Sequence, residues 1–74
     1  MAEPIPLAIE AATDGVRSAA EARRVLGDRF AAGVATATDV LDAQVALLQA
    51  ELDRTQAIAA ARLAEARLDR ALGK

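Results

Sequence analysis

The segment of residues 29–44, RFAAGVATATDVLDAQ, is the strongest break in a chain that otherwise consists mostly of helix-forming residues. Gly33 suits the left-handed backbone conformation that commonly ends a helix, because glycine reaches it without strain. Thr36 and Asp39 have the spacing of a capping box, with Asp in place of the usual Glu, and Thr38 is a competing N-cap. The segment therefore predicts a tight turn between two helices.

The boundaries of both helices follow from proline and glycine. Pro4 and Pro6 block a helix before about residue 7. We expect helices at about 7–31 and 39–72, an irregular stretch at 1–6 and a tip turn at 32–38. At ~1.5 Å per residue the second helix would be ~50 Å long, too long for a compact domain of this size. The predicted fold is all-α: residues 1–74 form a single antiparallel hairpin of two long helices, coiled-coil-like in its packing.

Apolar residues recur at helical spacing on both predicted helices. The stripe on the first helix reaches Leu26 and Phe30 but is interrupted at Arg23. One seam on the second helix has 4-3-4 spacing: Leu41, Val45, Leu48 and Leu52. Further apolar lines follow: Ile58, Ala61, Leu68 and Leu72, then Ala59, Leu63 and Ala66. Because a hairpin covers only one side of each helix, the other apolar sides require partners.

Composition excludes several classes of function. The chain contains no Cys and no His, so it lacks the usual general base and the commonest metal ligands. Its net charge of -2 comes from well-mixed charges and argues against nucleic acid, which needs a basic face. Asp39 and Asp42 are one helical turn apart, but acids also favour a helix N-terminus by ~0.3–1 kcal/mol. We therefore expect no enzyme, no cofactor and no metal site.

No targeting segment is visible in the sequence. Residues 1–15 lack both a basic start and a continuous apolar stretch, so they do not resemble a signal peptide. No apolar run approaches the ~20 residues of a membrane span. On this evidence we expect a chain that stays where it is made.

Residues 16–73 resemble the last periplasmic helical hairpin of the TolC-like outer membrane efflux protein family. The similarity rests on Arg29 and Phe30 at a helix end, Gly33 in the turn, and the helix start that Asp39 opens. That start reads DVLDAQ, residues 39–44; LLQAE follows at 47–51 and ALG at 71–73.

The resemblance implies a trimeric duct, with a β-barrel in the outer membrane and an α-helical barrel across the periplasm. Its periplasmic tip docks a periplasmic adaptor (membrane fusion) protein, which links the duct to an inner-membrane pump and export of small molecules or proteins. By position, Asp39 and Asp42 would face the aperture. The predicted adaptor-contacting tip is Gly33, Val34, Ala35 and Thr36, and the predicted helix-packing residues are Phe30, Leu41, Val45, Leu48 and Leu52.

The chain departs from the family pattern in three ways. Phe30 stands where an aromatic residue with a hydroxyl is common, and Ala35 and Ala37 offer no polar gating contacts. Family members are several times longer and contain barrel strands, so we expect a fragment whose membrane contact lies in segments absent from it. The alternative is a free-standing soluble helical hairpin that self-associates as an interaction module.

Overall fold

A computed structural model describes residues 7–73 as two antiparallel helices, α1 (Leu7–Ala31) and α2 (Ala37–Ala71). The hairpin extends 61 × 23 × 11 Å along its principal axes. The predicted all-α hairpin is therefore confirmed. The predicted irregular stretch at 1–6 lies outside the described residues.

Helix α1 ends in a pair of hydrogen bonds around a left-handed glycine. The Val34 backbone N–H donates to the Arg29 carbonyl at 2.9 Å, and that of Gly33 donates to the Phe30 carbonyl at 3.0 Å. Gly33 has φ +81°, so this is the Schellman arrangement that ends many helices. The left-handed conformation predicted for Gly33 is confirmed.

Helix α2 begins two residues earlier than the sequence analysis expected, at Ala37 rather than Asp39. The reason is the choice of cap: Thr36 is the N-cap, with extended backbone angles of φ -92° and ψ 162°, and Thr38 lies inside the helix. The helix ends at Ala71, with Leu72 as C-cap. The connection between the helices is therefore residues 32–36.

The seam between the helices is narrow and poor in large side chains. Its half-buried members on α1 include Ile9, Ala12, Val16, Ala19 and Leu26, and those on α2 include Val40, Leu47, Ala50, Ile58 and Ala61. Ala43, 8% exposed, is the only residue within 7–73 that counts as buried. A hairpin with so small a core gains little free energy from burial and depends on further contacts.

The 4-3-4 line of apolar residues on α2 does not face α1. Leu41, Val45, Leu48 and Leu52 are 50–64% exposed and point away from α1, because the hairpin seam uses the neighbouring line through Val40 and Ala43. These four residues do not pack within the chain. Their contact with helices of other hairpins stays a prediction.

The far end of α2 has no helical neighbour in the described structure. Helix α2 has 35 residues and α1 has 25, so α2 continues beyond the start of α1 at Leu7. Ile58 and Ala61 are half-buried, whereas Leu68 and Leu72 on the same line are exposed. The apolar line therefore extends past the surface that α1 covers.

The outer face of α1 is charged, and its charged side chains form ion pairs with one another. Arg17 forms an ion pair with Asp14 at 2.7 Å, and Arg24 lies between Glu21 at 2.6 Å and Asp28 at 3.0 Å. Hydrogen bonding and attraction to the Arg24 guanidinium lower the pKa of Glu21. Pairs this exposed contribute little to stability, so this face is read as a solvated surface.

Candidate functional site at the hairpin tip

The tip is a short loop held by backbone bonds on one side and by a helix cap on the other. Gly33 and Val34 close α1, and Thr36 opens α2. Val34 is 73% exposed at the end of the molecule, while Ala35 is half-buried. The four residues predicted to contact an adaptor, Gly33, Val34, Ala35 and Thr36, are thus contiguous and form this one end of the hairpin.

Thr36 and Asp39 form a complete capping box. The Asp39 backbone N–H donates to Thr36 Oγ1 at 3.1 Å, and the Thr36 backbone N–H donates to Asp39 Oδ2 at 2.9 Å. Hydrogen bonds from the Thr36 backbone and side chain lower the pKa of Asp39 below its usual value of 3.8. The carboxylate of Asp39 therefore stays charged into acid solution and is held in one place.

Asp42 lies one turn further along α2, and its surroundings differ from those of Asp39. Its side chain is exposed, and within residues 7–73 no hydrogen bond or ion pair reaches its carboxylate. In the predicted aperture pair, the Asp39 carboxylate is therefore held by the capping box, whereas the Asp42 carboxylate has no contact of this kind within residues 7–73. That both carboxylates face an aperture stays a prediction.

The chemistry available at the tip is electrostatic. Neither His nor Cys occurs in the chain, and no cluster of three or more metal-ligating side chains forms within residues 7–73. Asp39 and Asp42 are both exposed, and exposed carboxylates attract cations.

Phe30, predicted to pack against a helix, is half exposed on the last turn of α1.

What sequence reasoning missed is the role of Arg23. Arg23 interrupts the apolar stripe in the sequence, yet it is half-buried and its Nε donates to Gln44 Oε1 at 3.0 Å. The signal for it was Arg23 in the middle of a 3-4 spaced stripe, together with a Gln at the start of the opposite helix.

The described helices contain no stretch that combines the length and the apolar character needed to cross a bilayer.

A family model described as outer membrane efflux protein matches residues 7–74. The chain belongs to the outer membrane efflux protein family. Its members form transport ducts of the outer membrane and periplasm rather than enzymes, and the helical hairpin agrees with that architecture. No curated protein and no solved structure gives a significant match.

Proposed function

We propose that this hairpin is the periplasmic tip of a trimeric outer membrane efflux duct, where it docks an adaptor protein and gates the passage of exported small molecules or proteins. The observation that carries the proposal is the tip itself. A sharp turn, fixed by a left-handed Gly33 and a capping box, closes one end of a 61 Å hairpin from this family.

The exposed apolar residues of α2 support a place in a wall of helices. Leu41, Val45, Leu48 and Leu52 leave an apolar line open along the hairpin. A lone soluble protein rarely exposes such a continuous line, which marks an interaction surface. Side-by-side packing of hairpins in a helical barrel would cover it, with the tips at one end.

The adaptor would contact the loop from Gly33 to Thr36. The loop is rigid, because backbone hydrogen bonds and the cap fix both of its ends. Val34 supplies an exposed apolar contact, while Gly33 leaves open space around its backbone. A rigid tip lowers the entropic cost of docking.

Asp39 and Asp42 would together make the entrance electronegative, with three copies of each around the axis. Rings of carboxylates select cations in pores. The capping box holds Asp39 against the loop, so Asp42 is the carboxylate with freedom to meet a passing ion. We assign the larger part of the ion dependence of the aperture to Asp42.

A graft of residues 16–73 into a full-length homologue tests adaptor docking. Val34→Trp enlarges the exposed tip without changing the backbone, and Gly33→Trp also strains the left-handed position. Both should abolish adaptor binding and export. Gly73→Trp is the matched control, because Gly73 has φ +75° and open surroundings at the opposite end. Unchanged adaptor affinity and export in both tip variants would contradict the assignment.

Single-channel recording of the same graft tests the aperture. Asp42→Asn should lower the preference for cations over anions and weaken block by divalent cations. Asp69→Asn serves as the control, since it removes an exposed acid near the other end of α2. Equal effects of the two substitutions would show that net charge, and not an aperture ring, determines selectivity.

A further inference from the structure

Within residues 7–73, one side-chain hydrogen bond crosses the seam between α1 and α2. The Arg23 Nε donates to Gln44 Oε1 at 3.0 Å, and both side chains are half-buried. Gln44 lies two residues after Asp42, whose carboxylate is predicted to face the aperture. The bond is therefore close in the chain to the charge of the proposed entrance, although neither of its partners belongs to the connection of residues 32–36.

Gly27 leaves the space in which the Arg23 side chain lies on α1. Positions 23 and 27 are one helical turn apart on the same face. A Cβ at position 27 would lie 2.7 Å from Arg23 Nη1, too close for a nonbonded contact. The guanidinium that meets Gln44 therefore occupies a site that a larger residue at position 27 would fill.

The rotation of α2 about its own axis determines where Asp42 points. At ~3.6 residues per turn, residues 42 and 44 lie roughly 200° apart around the helix. In agreement with this geometry, Gln44 is half-buried against α1 and Asp42 is exposed. A rotation of α2 that moves Gln44 away from Arg23 therefore turns Asp42 through the same angle.

The side chain of Asp42 has no restraint of its own within residues 7–73, because no hydrogen bond or ion pair reaches its carboxylate. The capping box, in contrast, holds the carboxylate of Asp39. Apolar contact is non-directional, and the apolar lines that begin at Val40 and Leu41 are adjacent on α2. A hydrogen bond depends on distance and angle, so it is the more selective restraint on the rotation of α2.

We propose that Arg23 and Gln44 are positioning residues for Asp42. Their hydrogen bond holds the start of α2 in the rotation that points Asp42 into the aperture, and Gly27 takes part by leaving room for the guanidinium. The inference rests on the proposed function of the tip, since the direction of Asp42 affects transport only if its charge lines the entrance. It gives a part in cation selectivity to residues outside the tip.

Single-channel recording of the graft of residues 16–73 tests the proposal without a change of charge. Gln44→Leu should lose most of the preference for cations that Asp42→Asn removes, and it should have no further effect in an Asp42→Asn chain. Gln56→Leu, an exposed glutamine further along α2, is the control and should keep the parent's preference. A Gln44→Leu chain as cation-selective as this control overturns the proposal, and so does an equal loss in the Asp42→Asn background.

Gly27 gives a second variant, on the opposite helix and also without a change of charge. Gly27→Leu displaces the guanidinium, whereas a side chain at position 15 has no atom within 4 Å of its Cβ. Gly27→Leu should therefore lower the preference for cations, and Gly15→Leu should not. Adaptor affinity should be kept in both variants, because the tip loop is unchanged. Equal selectivity of the two variants counts against the positioning of Asp42 by Arg23.

Spin-label distances in the 74-residue chain separate this inference from the proposed aperture. Because the chain has no native cysteine, Ser18→Cys and Asp42→Cys place one label on each helix. Gln44→Leu should broaden the distribution of distances between the labels, with helicity by circular dichroism kept, and Gln56→Leu should leave it unchanged. A distribution that Gln44→Leu does not change overturns the proposal. A broadened distribution, in a case where Asp42→Asn leaves selectivity unchanged, supports the positioning and places the error in the aperture assignment.

Discussion

Arg23 and Gln44 join the two helices through a hydrogen bond of 3.0 Å from the guanidinium Nε to the amide Oε1. Among residues 7–73 it is the only side-chain hydrogen bond between α1 and α2. Both residues are half-buried in a seam otherwise made of small and apolar side chains. The bond therefore favours the observed register of the two alanine-rich helices.

Removing one partner should cost more than removing both. Gln44→Leu leaves a half-buried guanidinium without its acceptor and should destabilise the hairpin by ~1–2 kcal/mol. Arg23→Leu with Gln44→Leu restores an apolar stripe and should be close to neutral in stability. A double-mutant cycle by thermal unfolding measures the coupling. Additive effects of the two single substitutions would show that the bond contributes nothing to the fold.

The Arg23 side chain lies over Gly27. A Cβ at position 27 would lie 2.7 Å from Arg23 Nη1, so the guanidinium would have to move. Alanine is favoured over glycine inside a helix by ~1 kcal/mol. Gly15→Ala, where nothing lies within 4 Å, should give that full gain, and Gly27→Ala a smaller one.

The difference in stability gain between Gly27→Ala and Gly15→Ala should disappear in an Arg23→Met background. There Gly27→Ala and Gly15→Ala should raise the melting temperature equally, as measured by circular dichroism. If Gly27→Ala in the parent chain already matches Gly15→Ala, the guanidinium moves aside without loss and the close approach has no energetic consequence.

The architecture was open to prediction because it depends on local rules. Proline at 4 and 6, Gly33 and the Thr36–Asp39 spacing determine where helices start and stop, and each rule acts within a few residues. The family resemblance drew on the same residues. The start of α2 was misplaced by two positions because Thr36 and Thr38 both satisfy the rule for an N-cap, and backbone geometry decides between them.

The assignment of faces on α2 could not be settled in the same way. Leu41 and Val40 are adjacent, and both begin apolar lines at helical spacing. In the structure the line through Val40 faces α1, and the line through Leu41 is exposed. Which line faces α1 depends on the direction in which the turn sends the second helix. That direction depends on the backbone conformation of residues 32–36, which cannot be predicted from the spacing of apolar residues.

The choice of cap predicts a difference between two threonines. Thr36→Ala removes the acceptor of the Asp39 backbone N–H and should destabilise α2 by ~1 kcal/mol. Thr38→Ala changes a residue inside the helix, where alanine is the better helix former, and should be neutral or slightly stabilising. Amide hydrogen exchange at residues 37–41 should rise in the first variant only. Equal exchange in both would show that the capping box does not hold the start of α2.

The capping box also makes the stability of the tip depend on pH. The pKa of Asp39 is lowered in the folded chain because the backbone and the side chain of Thr36 hydrogen-bond to it. The lowered pKa means that the charged carboxylate favours the folded state. Its contribution is full above the ordinary value of about 3.8 and is lost as the pH falls through the lower folded pKa. Acidification from pH 5 to 2 should therefore loosen the start of α2.

Asp39→Asn isolates that contribution, because the amide does not titrate in this range while its oxygen still accepts from the Thr36 N–H. Melting temperatures between pH 5 and 2 should fall less steeply in Asp39→Asn than in the parent chain. Thr38→Ala, which leaves both bonds of the box in place, should keep the parent's dependence. Glu21 adds a background of the same sign in all three chains, since Arg24 lowers its pKa too. Parallel curves for Asp39→Asn and the parent would show that the capping carboxylate does not couple protonation to folding.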